Sequence, residues 1–584
     1  MWPNLSDSLL ALFLIGAVSG TPLVPRYANL TTSGVICNGT FSRISAQTWV
    51  DNMNPGWNLG NTLDGIPDEG DWGNPPVVPQ TFDDVKKAGF KGVRLPVTWA
   101  YHFDTEAPEY TVNPGWLQRV SDVVDMVLES DMYVLVNVHH DSWTWADVTQ
   151  ANANYTQIEE KFYRLWYQIG TKLACKSSLL AYEPINEPPG TTAAHAAELR
   201  KLEDLFLQAI ADAGGFNPHR VVTLNGPQEN SDLTSQYFVS PTNISNPWAI
   251  QYHYYSPYPF IFSAWGSTIW GSDVDKAALE ADIANIRNNF TDVPLIIGEW
   301  AASPVATETA ARWRYFDFFV RTASKYNTTT VLWDNGADFL DRVNHVWRDQ
   351  TAVDLYMAAL AGEANALPDS TTDSNAISQY TSADLFVRVG QSVTSQTISY
   401  ILPGNTTLTS VIRPNGTSLA RGADYSVAGD KVTFSASLLR AYFIPSASPG
   451  SIANLTLKFS TGADLTLNLV LWDTPVLSST SSSAAAANGS SISILVQWKG
   501  IDKLATVKAV TTNGTYLVDD FTKYYGPLQN ARTTYNSQWN WDTNNLIITA
   551  AAVSAAQAVG EDVIFTFEFY PRVPGNAVNY TLTV

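Results

Sequence analysis

The sequence predicts an α/β protein: a (β/α)8 TIM barrel followed by two small all-β sandwich modules. Three observations predict it. Between residues 33 and 365, short apolar runs alternate with stretches of helical period, the signature of a barrel of parallel strands. After Gly362 the helical period stops, and short alternating runs rich in Thr, Ser, Val and Asn take over, spaced as in a β-sandwich. A Ser/Ala-rich stretch, LSSTSSSAAAANGSS at 477–491, then reads as a flexible linker between modules at 375–475 and 492–584.

In chain order the barrel strands are expected within GWNLGN (56–61), GVRLPVTW (92–99), YVLVNVHHD (133–141) and LLAYEPINEP (179–188). VVTLNGP (221–227), AIQYHYYSP (249–257), PLIIGEW (294–300) and TVLWDNG (330–336) follow. Each is short, apolar and bounded by turn residues, the pattern of a strand buried on both faces. Between them, PQTFDDVKKAGF, WLQRVSDVVDMVLESD, AAELRKLEDLFLQAIADAG and AARWRYFDFFVRTASKY carry apolar residues at helical spacing. A doubly wound sheet would usually place a Gly-rich phosphate turn after its first strand, and GWNLGNTLDG is not one. The second module offers LFVRVG, QTISYIL, TLTSVI, DYSVAGDKVTFS, LTLKFS and LTLNLVLW as strands. The third offers SILVQWKG, LATVKAV, NLIITAAAV and DVIFTFEFYP.

Only 15% of the 584 residues are charged, and the formal net charge is -21. Such a surface repels nucleic acid and anionic membranes but not a neutral polymer. The 20 Trp and 26 Tyr suit sugar rings, whose C–H faces stack on aromatic planes, and they equally suit large cores. Leu9 to Val18, followed by Ser19 and Gly20, reads as a signal peptide over 1–20 and is too short to span a bilayer. The mature protein is therefore expected to be soluble and extracellular. Sequons at Asn38, Asn154, Asn243, Asn289, Asn327, Asn405, Asn415, Asn454 and Asn513 suggest a eukaryotic secretory route and a glycoprotein. Cys37 and Cys175, the only cysteines, either bond and pin the N-terminal segment to the barrel or stay free.

Two glutamates end apolar runs, Glu187 in LLAYEPINEP and Glu299 in PLIIGEW. Both are expected at the C-termini of parallel strands, where such barrels build active sites. A charged residue ending a buried strand needs a reason, and paired carboxylates so placed are what glycosidic bond cleavage requires. Arg94, His139, His140, Asn186, His253, Tyr255 and Trp333 fall at the ends of the other runs. Arg94 and the Tyr255 hydroxyl would keep a carboxylate ionised for attack on carbon, whereas burial near a second negative charge would hold a proton on the other. Taken singly, Arg94 reads as a buried ion-pair partner, His253 as a core histidine and Trp333 as a core aromatic. Together at the strand ends they read as a site. His139 and His140 on one strand make a poor chelate, so neither metal nor cofactor is expected. Trp72, Trp143, Trp145, Trp265 and Trp270 follow candidate strands, and each either stacks a linear glucan or covers a loop core.

The motifs GWNLGNTLDG, DWGNP, GVRLPVTW, NVHHD, PINEP, QYHYYSP, IGEW and LWDNG resemble glycoside hydrolase family 5, and within it the subfamily 4 endo-β-1,4-glucanases and xyloglucanases. The resemblance implies a retaining endoglucanase with Glu187 as acid/base and Glu299 as nucleophile. It implies that Asn186 meets the substrate 2-hydroxyl, that Arg94 and Tyr255 position Glu299, and that Trp333 is a stacking floor. His139 and His253 line the same subsite, Asn61 joins the substrate-binding set, and strand alternation leaves open which of His139 and His140 faces sugar. Residues 380–475 resemble the X2 immunoglobulin-like module. Residues 492–584 resemble carbohydrate-binding module family 46, where Trp539 and Trp541 are the candidates for presenting an aromatic to branched glucans or else pack a core. A β-glucan polymer is the expected partner and the chain is expected to be a monomer. A mannanase or another β-glucanase on the same barrel, and an inactive glucan-binding protein, are the alternatives.

Overall fold

The computed structural model describes residues 34–584 except 243 and 518; the expected signal peptide and the Asn243 sequon lie outside the described residues. Strands β1 (Gly56–Asn58), β2 (Gly92–Leu95), β3 (Tyr133–Asn137), β4 (Leu180–Glu183), β5 (Val222–Asn230), β6 (Trp248–His253), β7 (Leu295–Trp300) and β8 (Thr328–Leu332) close into a parallel barrel in sequence order. Every expected run holds its strand, but several strands stop early. β3 ends at Asn137 and β4 at Glu183, so His139, His140, Asn186 and Glu187 lie on the turns beyond.

The floor of the barrel is sealed. Helix Ala46–Met53, capped by the Ser45 hydroxyl, packs Trp49, Val50 and Met53 against Leu135, Ala181, Ala249, Ile296 and Val331 from five strands. A Cβ on Gly92 would lie 2.3 Å from Met53 Cγ, so this close approach requires glycine. Cys37 and Cys175 are bonded, tying the segment ahead of this helix to the chain just after helix Tyr155–Leu173. The open mouth is left at the strand C-termini.

The second module is a sandwich of two four-stranded sheets, and it begins at Leu367, ahead of the boundary that texture suggested. Its apolar core is continuous with that of the barrel. Asn365 stitches the seam, donating to Asp317 Oδ1 at 2.7 Å and accepting from the Ala463 N–H at 2.9 Å.

The third module is a sandwich with its own core. The expected linker at 477–491 is built into it: Ser481–Ser483 pairs in parallel with Ala577–Thr583, and Ala484 is buried in the module core. Small side chains suppress the apolar signal of a strand, but backbone pairing does not depend on them. Side chains from both bodies dock this module on the barrel. Trp265 Nε1 donates to Asp519 Oδ2 at 2.8 Å while its ring packs on Phe521 and Tyr525. Arg572 donates to the Gly266 carbonyl at 3.1 Å, and Lys503 Nζ to the Pro304 carbonyl at 2.7 Å. Trp265→Ala is expected to loosen the docking and raise the radius of gyration measured by small-angle X-ray scattering. An unchanged radius would show that the remaining contacts, among them those of Arg572 and Lys503, suffice.

Candidate active site

Arg94 on β2 is wholly buried beneath the mouth, and its flat fork of donors organises the centre. Nε and Nη2 pair with the two oxygens of Glu183 at 2.7 Å each. Nη1 reaches Glu299 Oε1 at 2.6 Å and Asn58 Oδ1 at 3.0 Å, and Nη2 also reaches Asn186 Oδ1 at 2.7 Å. The other oxygen of Glu299 accepts the Tyr255 hydroxyl at 2.9 Å. Burial, and then the charge of Glu299, push Tyr255 well above its ordinary range, so it stays protonated and donates. Burial also pushes Glu299 up, against the pull of His253 and Arg94.

Glu187 occupies the opposite lip. Beyond β4 the chain turns through Pro184, Ile185 and Asn186 and places Glu187 in the left-handed region at φ 39°. Its side chain is 28% exposed, against 7% for Glu299. Glu187 Oε1 lies 2.8 Å from His253 Nδ1, and the same nitrogen is 3.7 Å from Glu299 Oε2. Burial would raise Glu187, but the hydrogen bond and charge of His253 outweigh it and hold the carboxyl below its usual range. An oxygen of Glu187 and an oxygen of Glu299 lie within 4.8 Å of each other.

His139 and His140 do not alternate, because both follow the end of β3; their rings meet edge to face with centroids 4.5 Å apart. His139 contacts Asn137 Nδ2 at 3.0 Å and lies parallel to Trp333 at 6.0 Å. Burial and neighbouring positive charge hold it well below 6.5, hence neutral. His140 is anchored at 3.0 Å to both the Asp64 carbonyl and the Thr98 hydroxyl. Trp333 lies over Gly60, where a Cβ would come within 2.7 Å of the ring. Asn61 is left-handed and holds the turn after β1, its N–H donating to Asp64 at 3.0 Å and its carbonyl accepting from Asn74 at 2.8 Å.

These groups open into a cleft of about 730 Å³ whose lining includes Glu187, Tyr255, Glu299 and Trp333, and on the far side Thr534, Tyr535, Asn536 and Ser537 of the third module. Of the five loop tryptophans, Trp72 and Trp143 flank His140 and are 41% and 52% exposed. Trp270 is buried, Trp145 donates to Asp141 beneath Lys161, and Trp265 lies in the module seam. Trp539 is 1% exposed and donates to the Thr533 carbonyl in the module core, so it presents nothing to a ligand. Trp541 is half-buried against that core and against Tyr535. The module therefore faces the cleft through the 534–537 loop rather than through either tryptophan.

Two protein families match this chain: Cellulase (glycosyl hydrolase family 5) over residues 51–339, and Carbohydrate binding domain X2 over 379–469. Endoglucanase B of Paenibacillus lautus is 31% identical over 486 residues, spanning 80% of this chain and 81% of that one. The chain belongs to glycosyl hydrolase family 5. A tri-modular subfamily 4 endo-β-1,4-glucanase from Bacillus licheniformis, solved with cellotetraose, superimposes with a TM-score of 0.80 at 33% identity, covering 92% of this chain and 99% of that one. A family 5 xyloglucanase from Paenibacillus pabuli matches with a TM-score of 0.51 at 29% identity, covering 53% of this chain and 99% of that one.

Within this family 5 site, sequence reasoning passed over Glu183, Glu229, Asn58 and Tyr535. Glu183 stands inside the YEPINEP run, where a second acidic residue in an apolar strand was the available signal. Glu229 is wholly buried on β5, with its Oε2 3.0 Å from His253 Nε2. Burial would lower the His253 pKa, but Glu229, Glu299 and Glu187 raise it from 6.5 to about 9. A raised histidine contributes stability that is full below the unfolded value and lost as pH rises through the folded one. His253→Asn should therefore lower Tm more at about pH 6 than at about pH 9.5, measured by thermal melts. An equal loss at both would show that the imidazolium charge contributes nothing.

Proposed function

We propose that the protein is a secreted, retaining endo-β-1,4-glucanase in which Glu299 is the nucleophile and Glu187 the acid/base. One observation carries this reading: the approach of Glu187 and Glu299 oxygens to within 4.8 Å. Retaining enzymes set their carboxyl groups ~5–5.5 Å apart, whereas inverting ones leave ~6.5–9.5 Å for a water molecule. The division of roles follows from what surrounds each group. Glu299 is deep, with Arg94 and Tyr255 fixing both oxygens, as attack on carbon requires. Glu187 is the more exposed, and a carboxyl that gives a proton to the leaving oxygen and later takes one from water must meet both. Sugar filling the cleft would exclude water from Glu187 and raise its proton affinity.

The reaction then runs in two displacements. Glu299 attacks the anomeric carbon while Glu187 protonates the departing glycosidic oxygen. Glu187 next deprotonates water, which displaces Glu299 and restores the starting state. The signal-like N-terminus and the Cys37–Cys175 bond support an extracellular site of action. Glu299→Gln is expected to lower kcat on cellotetraose by about 10³-fold or more. Proton NMR should find the β-anomer first in the wild-type product. An α-anomer appearing first would mean inversion and end the nucleophile assignment.

The 534–537 loop favours a second, branched class of substrate. Tyr535 stands on the cleft wall, where a side branch leaving the backbone glucan would meet it. Tyr535→Ala should reduce kcat/KM on xyloglucan about fivefold or more, the scale of a lost aromatic anchor, with a smaller effect on cellotetraose. Equal effects on the two would make Tyr535 a packing residue. A higher rate on mannan than on either glucan would overturn the substrate class.

A further inference from the structure

We propose that Glu229 is a positioning residue for the proton-transferring carboxylate, holding Glu187 by its backbone and, through His253, by its side chain. The inference rests on the acid/base reading of Glu187. Glu229 Oε2 accepts the backbone N–H of Glu187 at 2.9 Å and lies 3.0 Å from His253 Nε2. His253 Nδ1, on the far side of the same ring, lies 2.8 Å from Glu187 Oε1. The remaining oxygen, Oε1, accepts Gln251 Nε2 at 3.0 Å and Asn225 Nδ2. One buried carboxylate thus closes a loop through the imidazole and back to the residue that handles the proton.

The backbone supports a specific purpose. Gln228 and Glu229 are left-handed at φ 56° and 48°, and Glu187 is left-handed at φ 39°. Strain of this kind costs about 1–3 kcal/mol per residue and persists where the surroundings over-determine it, commonly at active sites. The two strained turns are joined: the Gln228 N–H donates to the Pro188 carbonyl at 2.8 Å. The register of β5 against β6 breaks between Asn225 and Asn230, which re-aims the Glu229 side chain toward His253. Among the described residues, His253 is the only cationic side chain within 4.0 Å of Glu229, since Arg94 is taken by Glu183 and Glu299.

The consequence is chemical. Three carboxylates face His253: Glu229, Glu187 and Glu299. Glu183 and Arg94 are the further charges that bear on Glu229. Glu229 helps keep His253 in the imidazolium form through the ion contact at Nε2, while Nδ1 is directed at Glu187. The Nδ1–H then stabilises the Glu187 carboxylate that forms as its proton passes to the glycosidic oxygen. That carboxylate is the base that later takes a proton from water.

The test uses the intact chain and two leaving groups. On cellotetraose the departing sugar oxygen needs a proton; on 2,4-dinitrophenyl β-cellobioside the departing phenolate does not. Glu229→Gln is expected to lower kcat/KM about tenfold or more on cellotetraose, within the range of acid catalysis, and less than about threefold on the dinitrophenyl substrate. Glu187→Ala, assayed alongside, should show the same split more strongly. If Glu187→Ala loses both substrates equally, the acid/base reading fails and this inference with it. If Glu187→Ala shows the split but Glu229→Gln lowers both substrates equally, or neither, Glu229 has no positioning role and the acid/base reading stands. Glu229→Asp keeps the charge while withdrawing it, and should show a smaller split. If Glu229→Gln does not fold, absence of a split in Glu229→Asp overturns the proposal.

Discussion

Arg94 is the constraint on which the catalytic end of the barrel depends. Its guanidinium is fully buried, and a charge in that position is tolerable only because planar donors match fixed acceptors on three other elements. Burial would lower its pKa, but Glu183 and Glu299 raise it further, so the charge is permanent. Burial would likewise raise Glu183, and Arg94 holds it below its usual range. A lysine would offer one point charge without the fork, leaving Glu183 or Glu299 unpaired. Breaking such a buried pair costs about 3–5 kcal/mol. Because Arg94 is paired in register with Asn58 on β1 and Leu135 on β3, closure of the barrel itself sets where the Glu299 carboxyl stands.

Around that fixed point the charges are deliberately unequal. Glu183, Glu187, Glu229 and Glu299 face Arg94 and His253, an excess of carboxylate that favours retaining protons. The excess is felt at Glu229, which burial and Glu183 raise to about 8 against the pull of His253 and Arg94. That is still below His253 at about 9, so of the two the imidazole holds its proton more tightly. Glu203, also buried, rises to about 8 by burial, with Asp204 adding to the rise and Arg200 opposing it. In both carboxylates burial is the chief cause and a neighbouring carboxylate adds to it. Only Glu229 shares its surroundings with Glu187 and, through His253, with Glu299.

The barrel was legible in sequence because parallel strands buried on both faces leave an uninterrupted apolar run, and all eight runs hold a strand. The two chief carboxylates were legible because each interrupts or ends such a run. What escaped lies where local pattern is uninformative. Glu229 looks like a loop residue after Gly226–Pro227, and nothing in the pattern says that β5 continues through a bulge and turns it inward. His139 and His140 escape strand alternation because β3 stops at Asn137. Trp539 and Trp541 were conspicuous for their residue type, but antiparallel pairing of Trp539–Trp541 with Asn545–Ile548 commits Trp539 to the core, while Tyr535 on the adjoining loop reaches the cleft. The Ser/Ala stretch misled for the opposite reason: low complexity removed the hydrophobic signal without removing the hydrogen bonds that make Ser481–Ser483 a strand.

The third module matters to the cleft through the loop that follows β7. Ala301, Ser303, Val305 and Ala306 line the cleft just beyond β7. Lys503, from the third module, holds this loop by donating to the Pro304 and Thr307 carbonyls at 2.7 and 2.5 Å. Burial, with Arg312 beside it, lowers the Lys503 pKa to about 7 against the pull of Glu308, Asp384 and Asp349. Charged or neutral, the amine retains N–H groups for both carbonyls. The module that contributes Tyr535 to one wall therefore also fixes the loop beside Glu299 on the other, through a contact that does not depend on its protonation state. Cleft width is then set by the docking of two folded bodies, so the walls are spaced before a ligand arrives.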